Sequence, residues 1–396
     1  MNYILFDDSI VRTNLLPLTF MRPIADIRVG ILTIREKWEM HLNAKTSTLT
    51  EAYLSKKFRI IREDENVLIN ASVCPTKEVV EAVLNLKPNQ TVVYQDTIIA
   101  VHVKAEDLDK LGDASGEGIE EIGVKDAPVR IGHTWEVYSK NGIALHEDFE
   151  LITKGKKSQK LSETNTVIGD GKVFLEKGAK VECAILNTQN GPIYIGKDAE
   201  IMEGAVIRGP FALCEGAQVK MLAKIYGPTT VGPFSRVGGE INNSVIFGYS
   251  NKAHDGFLGH SVIGEWCNLG ADTNTSNLKN TYDTVRLWSY GKQTFVTTNQ
   301  QFCGLIMGDH SKCGINTMFN TGTVVGVNAN IFGPGFQRNF IPSFTWGGTA
   351  GHTNYDLKKA IEVAELVYAR RDRTLDETEK DLLSSVYHLT LKNKYL

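Results

Sequence analysis

Aliphatic residues recur at every sixth position through the middle of this 396-residue chain. Ile195, Ile201, Ile207, Leu213, Val219, Ile225, Val231 and Val237 form one unbroken series. The register slips by two after Val237 and resumes as Val245, Asn251, Phe257, Ile263 and Leu269. A third series runs Met307, Cys313, Phe319, Val325 and Ile331, and a glycine often follows the aliphatic position, as in Val231-Gly232 and Ile263-Gly264. A period of six fits neither an amphipathic helix nor an alternating strand. It fits a triangular parallel β-helix, with a short strand on each side and a tight turn at each corner. The aliphatic residue then points inward and stacks on its counterpart one coil on, while Gly and Asn serve the corners because they tolerate positive φ.

The flanking regions have a different texture. Val67-Leu68-Ile69 and Thr91 to Tyr94 read as buried strands, and Lys77 to Leu86 between them repeats apolar residues at helical spacing. Strand-helix-strand order predicts an α/β domain. The polar stretch 154–160 reads as a linker. These patterns divide the chain into an α/β domain at 1–158, a β-helix at 159–350 and a helical cap at 351–396. In the cap, Leu357, Ile361, Ala364 and Val367 form one stripe. Thr374 and Glu377 form a capping box that opens a last helix, with Leu382, Leu383, Val386 and Leu389 as its buried face. Residues 272–305 interrupt the six-residue period. Val285 to Ser289 and Thr294 to Thr297 read as two short strands around a turn, and an excursion carrying Lys279, Arg286, Trp288 and Lys292 is expected to close over a ligand.

Charge and cysteine content narrow the class. The net charge is −3 with no basic block, which excludes a nucleic-acid or membrane-surface patch. The six cysteines are scattered without a CxxC pair, so no metal site is read, and Cys183, Cys214 and Cys313 are expected to be small buried residues. The N-terminus lacks a basic n-region and no apolar run is long enough for a membrane span, so a soluble, cytoplasmic protein is expected.

The segment Glu240 to His254, continuing through Gly256-Phe257-Leu258-Gly259 to Asn268-Leu-Gly-Ala271, resembles the acetyltransferase half of the GlmU-like family. Members are bifunctional N-acetylglucosamine-1-phosphate uridylyltransferases and glucosamine-1-phosphate N-acetyltransferases. The resemblance implies a left-handed parallel β-helix, a homotrimer with active sites shared between subunits, acetyl-CoA as co-substrate and a sugar phosphate as partner. By it, His254 falls on the general base, Glu240 on an acidic residue beside that base, and Ala271 on the residue whose backbone N–H faces the thioester oxygen. Asn268 falls on a sugar-binding asparagine, and Asn277 on an asparagine near the acceptor amine. The chain departs from the pattern at Asn242, where the family has a phosphate-binding lysine, at Phe257, where it has a tyrosine, and near Tyr226, where an arginine is missing. Lys224, Arg236 and Lys252 are candidates for the replacement charge. His260 and His310 are read as structural.

Residues 4–24 resemble the opening of a sugar nucleotidyltransferase, with Arg12 and Arg22 as its weak nucleotide-binding candidates. Asp7, Asp8 and Ser9 stand where that family has small residues and a Gly-rich loop, Ile24 replaces a lysine, and Ser72 stands at the position of a Mg²⁺-binding aspartate. Mg²⁺ is therefore expected only if this domain is active, and Asp7, Asp8, Arg12, Arg22 and Asp26 could form a different site. Three functions compete. The first is an acyl-CoA-dependent N-acetyltransferase acting on an amino sugar or its 1-phosphate, with His254 as base. The second is a sugar-1-phosphate nucleotidylyltransferase whose β-helix serves assembly or regulation. The third is a non-enzymatic trimeric scaffold.

Overall fold

The computed structural model describes residues 1–110 and 120–392, so the last four residues of the expected helical cap lie outside the described ones. The chain divides into two compact units: Met1–Leu15, Arg22–Ile27 and Leu32–Gly132 form the first, and Leu16–Met21, Arg28–Ile31 and His133–Leu396 the second.

The first unit is the α/β domain. Its elements are β1 (Asn2–Phe6), α1 (Ser9–Asn14), α2 (Ile34–Leu42), β2 (Thr46–Leu49), β3 (Glu65–Asn70), α3 (Lys77–Leu84), β4 (Gln90–Tyr94), β5 (Thr97–Lys104) and β6 (Glu120–Gly123). They build one mixed sheet in the order β2-β1-β3-β5-β4-β6, with β1 parallel to both β2 and β3. The β3–α3–β4 succession follows the run of buried residues read from the sequence. A capping box between Thr33 and Glu36 starts α2, satisfying amides that the first helical turn leaves without partners.

The second unit is a parallel β-solenoid flanked by helices. Its short strands stack into three sheets of six, nine and ten strands, here faces 1, 2 and 3. Face 1 runs from Thr166–Ile168 to Phe257–Gly259, and one coil passes through faces 1, 2 and 3 in turn, as in Lys224–Tyr226, Thr229–Val231 and Arg236–Val237. The first and third aliphatic series are wholly inside: Ile195 to Val237, and Met307, Cys313, Phe319, Val325 and Ile331, belong to one continuous core. Each stacks on a like residue one coil away, and burying each such side chain contributes roughly 1.5–3 kcal/mol relative to leaving it in water. The middle series differs from expectation. Register pairs place Ile241, Ile246, Lys252 and Leu258 inward, not Val245, Asn251 and Phe257. Several corners are shortened between these strands, so the period of six fails to track the inward position.

Helices α4 (Thr134–Ser139) and α5 (Asn141–Thr153) lie on face 2, which buries Phe174, Tyr194, Val245, Val262 and Ile306 from the outside. The excursion lies on the same face. Its strands Arg286–Ser289 and Thr294–Thr297 pair antiparallel as expected, and Trp288 stacks on Phe340 with ring centroids 4.3 Å apart. The corner between faces 2 and 3 carries an aromatic ladder, Phe234, Tyr249, Trp266 and His310, each at positive φ. The strain of a left-handed residue, about 1–2 kcal/mol each, is offset there by ring stacking. Helix α6 (Leu357–Ala369) completes the ladder by laying Tyr368 on Trp266 at 3.9 Å. Its buried stripe is Ala360, Ala364 and Tyr368, one position round from the expected one, because small residues permit that close approach. Helix α7 spans Glu377–Lys392. Asp376, two residues after Thr374, accepts from the Glu379 amide and so sets its start, and Thr390 is buried where Leu389 was expected. Cys183 is exposed at a corner, unlike the buried Cys214 and Cys313.

Candidate active site

Four-residue turns join face 3 to face 1. Lys220 to Ala223 link Val219 to Lys224 and Ala253 to Gly256 link Lys252 to Phe257; beyond the end of face 1, Gly270 to Thr273 link Leu269 to Asn274 in the same way. In one coil the link is only Gly238-Gly239, between Val237 and Glu240. Two missing residues leave a notch between the turns on either side. The notch is a pocket of about 520 Å³ lined by Lys220, Met221, Gly238, Gly239, Ala253, His254, Asp255, Ala271 and Asp272. Only glycine fits the short link. A Cβ on Gly238 would lie 2.4 Å from the Ala253 carbonyl oxygen, and one on Gly239, at φ +71°, would lie 2.9 Å from Asp255 Cα.

Two of the residues singled out in the sequence, His254 and Ala271, meet in this pocket. His254 is exposed on the turn, and among the described residues its imidazole has no hydrogen-bond partner. The Ala271 N–H likewise has no acceptor among the described residues, whereas the neighbouring Asp272 N–H donates to the Asp255 carbonyl at 3.1 Å. A base and an unspent amide donor on adjacent coils are the two parts that amine acylation needs. Lys220, Met221, Asp255 and Asp272 also line the pocket, and the sequence reading missed them. Their only signal was proximity to the glycine pair and to His254. Burial, then the charge of Arg236, holds the Lys220 ammonium below its usual range.

The other candidates are distributed around the corner. Glu240 pairs with Lys224 at 3.4 Å across two strands of face 1, and among the described residues it makes no hydrogen bond to His254. Asn242 and Phe257 also lie on face 1, in register with Tyr226 and Glu240 respectively. Arg236 and Asn268 lie on face 3, where Asn251 sits between them in register and donates to Asn268 at 3.3 Å. Lys252 points into the solenoid interior and is only 2% exposed. Asn277 donates its amide to His260 Nδ1 at 2.9 Å, and a Cβ built on Gly259 would touch both that amide and the Phe257 ring. None of residues 273–305 lines the pocket, and the Trp288 hairpin is committed to face 2. Asp272, at the start of the excursion, does line the pocket.

In the first unit the charged residues satisfy one another. The Asp7 carboxylate accepts from Arg12 at 2.9 Å, from the Thr50 hydroxyl at 2.6 Å and from the Ile24 amide at 2.9 Å. Burial pushes the Asp7 carboxyl up, opposed by the Arg12 charge and these donors. Arg12 also donates to Tyr53 and to the Arg22 carbonyl. Asp8 caps α1 by accepting from the Ile10 and Val11 amides, the groups that would otherwise face a phosphate. Arg22 is buried, and Asp26 forms a bidentate pair with Arg35. Ser72 donates to Asn70 Oδ1, and among the described residues no three His, Cys, Asp or Glu side chains cluster in a metal-binding arrangement. The donor set at Ser72 does not fit Mg²⁺.

Residues 3–157 match the profile of the sugar nucleotidyl transferase family. The chain is also similar to proteins described as bifunctional GlmU from Methanococcus aeolicus (29% identical, covering 56% of this chain and 48% of that protein) and Methanocaldococcus jannaschii (30%, covering 50% and 42%). It is similar to a bifunctional sugar-1-phosphate nucleotidylyltransferase/acetyltransferase from Sulfurisphaera tokodaii (29%, covering 38% and 37%). The matched stretches span less than half the length of these relatives. No helix among the described residues is long and apolar enough to cross a membrane.

Proposed function

We propose that this chain, which is similar to bifunctional transferases over about half its length, is an acyl-CoA-dependent N-acyltransferase of amino sugars, with the Gly238-Gly239 notch as its acyl-transfer site. The observation that carries the reading is the pairing of His254 with the free Ala271 N–H in one pocket. An ammonium ion has no lone pair to attack with, so the acceptor nitrogen must lose a proton as it adds to the thioester carbonyl. The His254 imidazole takes that proton. The carbonyl oxygen becomes an oxyanion, which the fixed Ala271 N–H stabilises. The intermediate collapses with cleavage of the carbon–sulfur bond, releasing the thiol and leaving an amide. Glu240, Asn242 and Phe257 on face 1, with Asn277 beyond its end, form the acceptor side. Lys220 lines the pocket itself, Lys224 and Arg236 are further candidate cations for an acceptor phosphate, and Asn268 supports the sugar. The acyl donor is acetyl-CoA, and a homotrimer places the outward side of face 1 against a second subunit. A thiol-release assay with acetyl-CoA against amino sugars and their 1-phosphates tests the reading. Release with at least one acceptor, lost in His254→Ala, is the expected result. No release with any acceptor rejects it.

The match of residues 3–157 to sugar nucleotidyl transferases favours a second activity on the first unit. The internal pairing of Asp7 with Arg12 and the Asp8 cap on α1 weigh against it. Pyrophosphate release from nucleoside triphosphates with sugar 1-phosphates decides between them.

A further inference from the structure

Lys252 occupies an inward position of face 3, in register with Val237. The corresponding positions of nearby coils hold Val219, Leu269, Cys313 and Ile331. A cation in an aliphatic column is costly unless its donors are satisfied. The Lys252 ammonium donates to three backbone carbonyls: Gly238 at 3.4 Å, Asp255 at 2.9 Å, and His254. All three belong to pocket-lining residues, one from the short link and two from the turn opposite it. The charge therefore reaches from the core into the corner and ties both walls of the notch together.

We infer that Lys252 is a positioning residue, whose buried ammonium clamps the 253–256 turn and so fixes the His254 imidazole over the pocket. This rests on the reading of His254 as the base. The sequence offered Lys252 as a phosphate-binding cation, but a side chain directed inward onto carbonyls serves the turn. Glycines at 238 and 239 leave the short link without side chains to hold it, and the opposite turn ends on Gly256 at φ +111°. The ammonium restrains both from beneath without entering the pocket, alongside the backbone bonds from the Gly238 amide to the Lys252 carbonyl and from the Glu240 amide to the Gly256 carbonyl. A plain core role predicts something different, because replacing a buried charge by an apolar side chain of similar length is often neutral or stabilising. The clamp predicts that such a variant keeps or gains melting temperature while its turn loosens and its turnover falls.

The test uses the full chain with Lys252→Met. Amide hydrogen exchange of Glu240 and Asp272, whose N–H groups donate to the Gly256 and Asp255 carbonyls of the turn, should accelerate about tenfold or more, while Leu222, which donates to Glu203, keeps its protection. Turnover in acyl transfer should fall roughly 10- to 100-fold, with the Michaelis constant for acyl-CoA within about threefold of wild type, because a displaced base acts on the transition state. Lys252→Arg, which keeps donors at the site, should recover part of both. If Lys252→Met does not fold, Lys252→Gln is read by the same two quantities. Unchanged exchange at Glu240 and Asp272 overturns the clamp. Faster exchange with unchanged turnover overturns the positioning role. A wild-type protein inactive towards every amino sugar removes the base assignment instead, and the exchange result alone then judges the clamp.

Discussion

His260 Nδ1 accepts a hydrogen bond from the Asn277 side-chain amide across 2.9 Å. This bond sets the tautomer: Nδ1 must be bare, so the proton sits on Nε2. There it faces the Asn243 amide oxygen at 3.2 Å, in the orientation that satisfies both ends of that amide. The ring lies edge-on to Tyr138 and stacks on Phe302. Burial pushes the imidazole down to about 4. His260 is therefore neutral wherever His254 would work, and its place is to hold Asn277.

A depressed imidazole has a definite consequence for stability. Above its ordinary range near 6.5 both folded and unfolded chains hold His260 neutral. As pH falls from about 6.5 to about 4 the unfolded chain gains its proton while the folded one resists it, so stability is lost across that window. Melting temperature measured between pH 7 and 4 should fall less steeply for His260→Gln than for wild type. In wild type, the His260 ring resonances should stay unshifted down to about pH 5. A His260 titrating near 6.5 would refute the assignment.

His254→Ala should preserve folding and slow acetyl transfer about 10²- to 10⁴-fold, the usual contribution of a positioned base. The loss should fall on turnover more than on the Michaelis constants. Full turnover in a stable variant would transfer the reading to a non-catalytic scaffold.

Gly239→Ala tests the notch itself. The added Cβ would meet the backbone of the His254 turn at about 3 Å and sit at positive φ. A loss of about 1–3 kcal/mol of stability is expected, together with a fall in turnover. Gly335→Ala is the control, since it also has positive φ but its Cβ would meet nothing closer than 4.0 Å. It should lower stability with little change in rate.

Nucleotidyl transfer by the first unit should be weak or absent. Asp8 already fills the α1 amides and Asp7 neutralises Arg12. Replacing both with Gly would expose these donors, and phosphate-dependent stabilisation of the variant, absent in wild type, would show that the carboxylates are what closed the site. Robust Mg²⁺-dependent synthesis of a nucleotide sugar by wild type would overturn the prediction.

The outward side of face 1 exposes Ile185, Val206 and Tyr226, while helices and the hairpin cover face 2. Sedimentation equilibrium should give three times the chain mass, and Val206→Asp should shift the population towards monomer. A wild-type monomer at micromolar concentration would remove the trimer.

The sequence by itself determined the solenoid, because a column of stacked aliphatic residues imposes its period on the chain directly. It also determined the β3–α3–β4 succession, where periodicity and burial coincide, whereas His254 and Ala271 were singled out only by the family resemblance of the 240–271 segment. The inward register after Val237 was decided only in three dimensions. Corners contribute no periodic signal, so shortened corners moved the core position from Asn251 to Lys252 without any trace in the hydrophobic pattern. The notch has the same origin, since Gly238-Gly239 reads as a turn like any other until the longer turns above and below it are stacked alongside. Partner choice was equally hidden. Glu240 is drawn to Lys224 and Asp7 to Arg12 because charges pair with what folding brings within a few ångströms, and that distance is a property of the packed coils, not of separation along the chain.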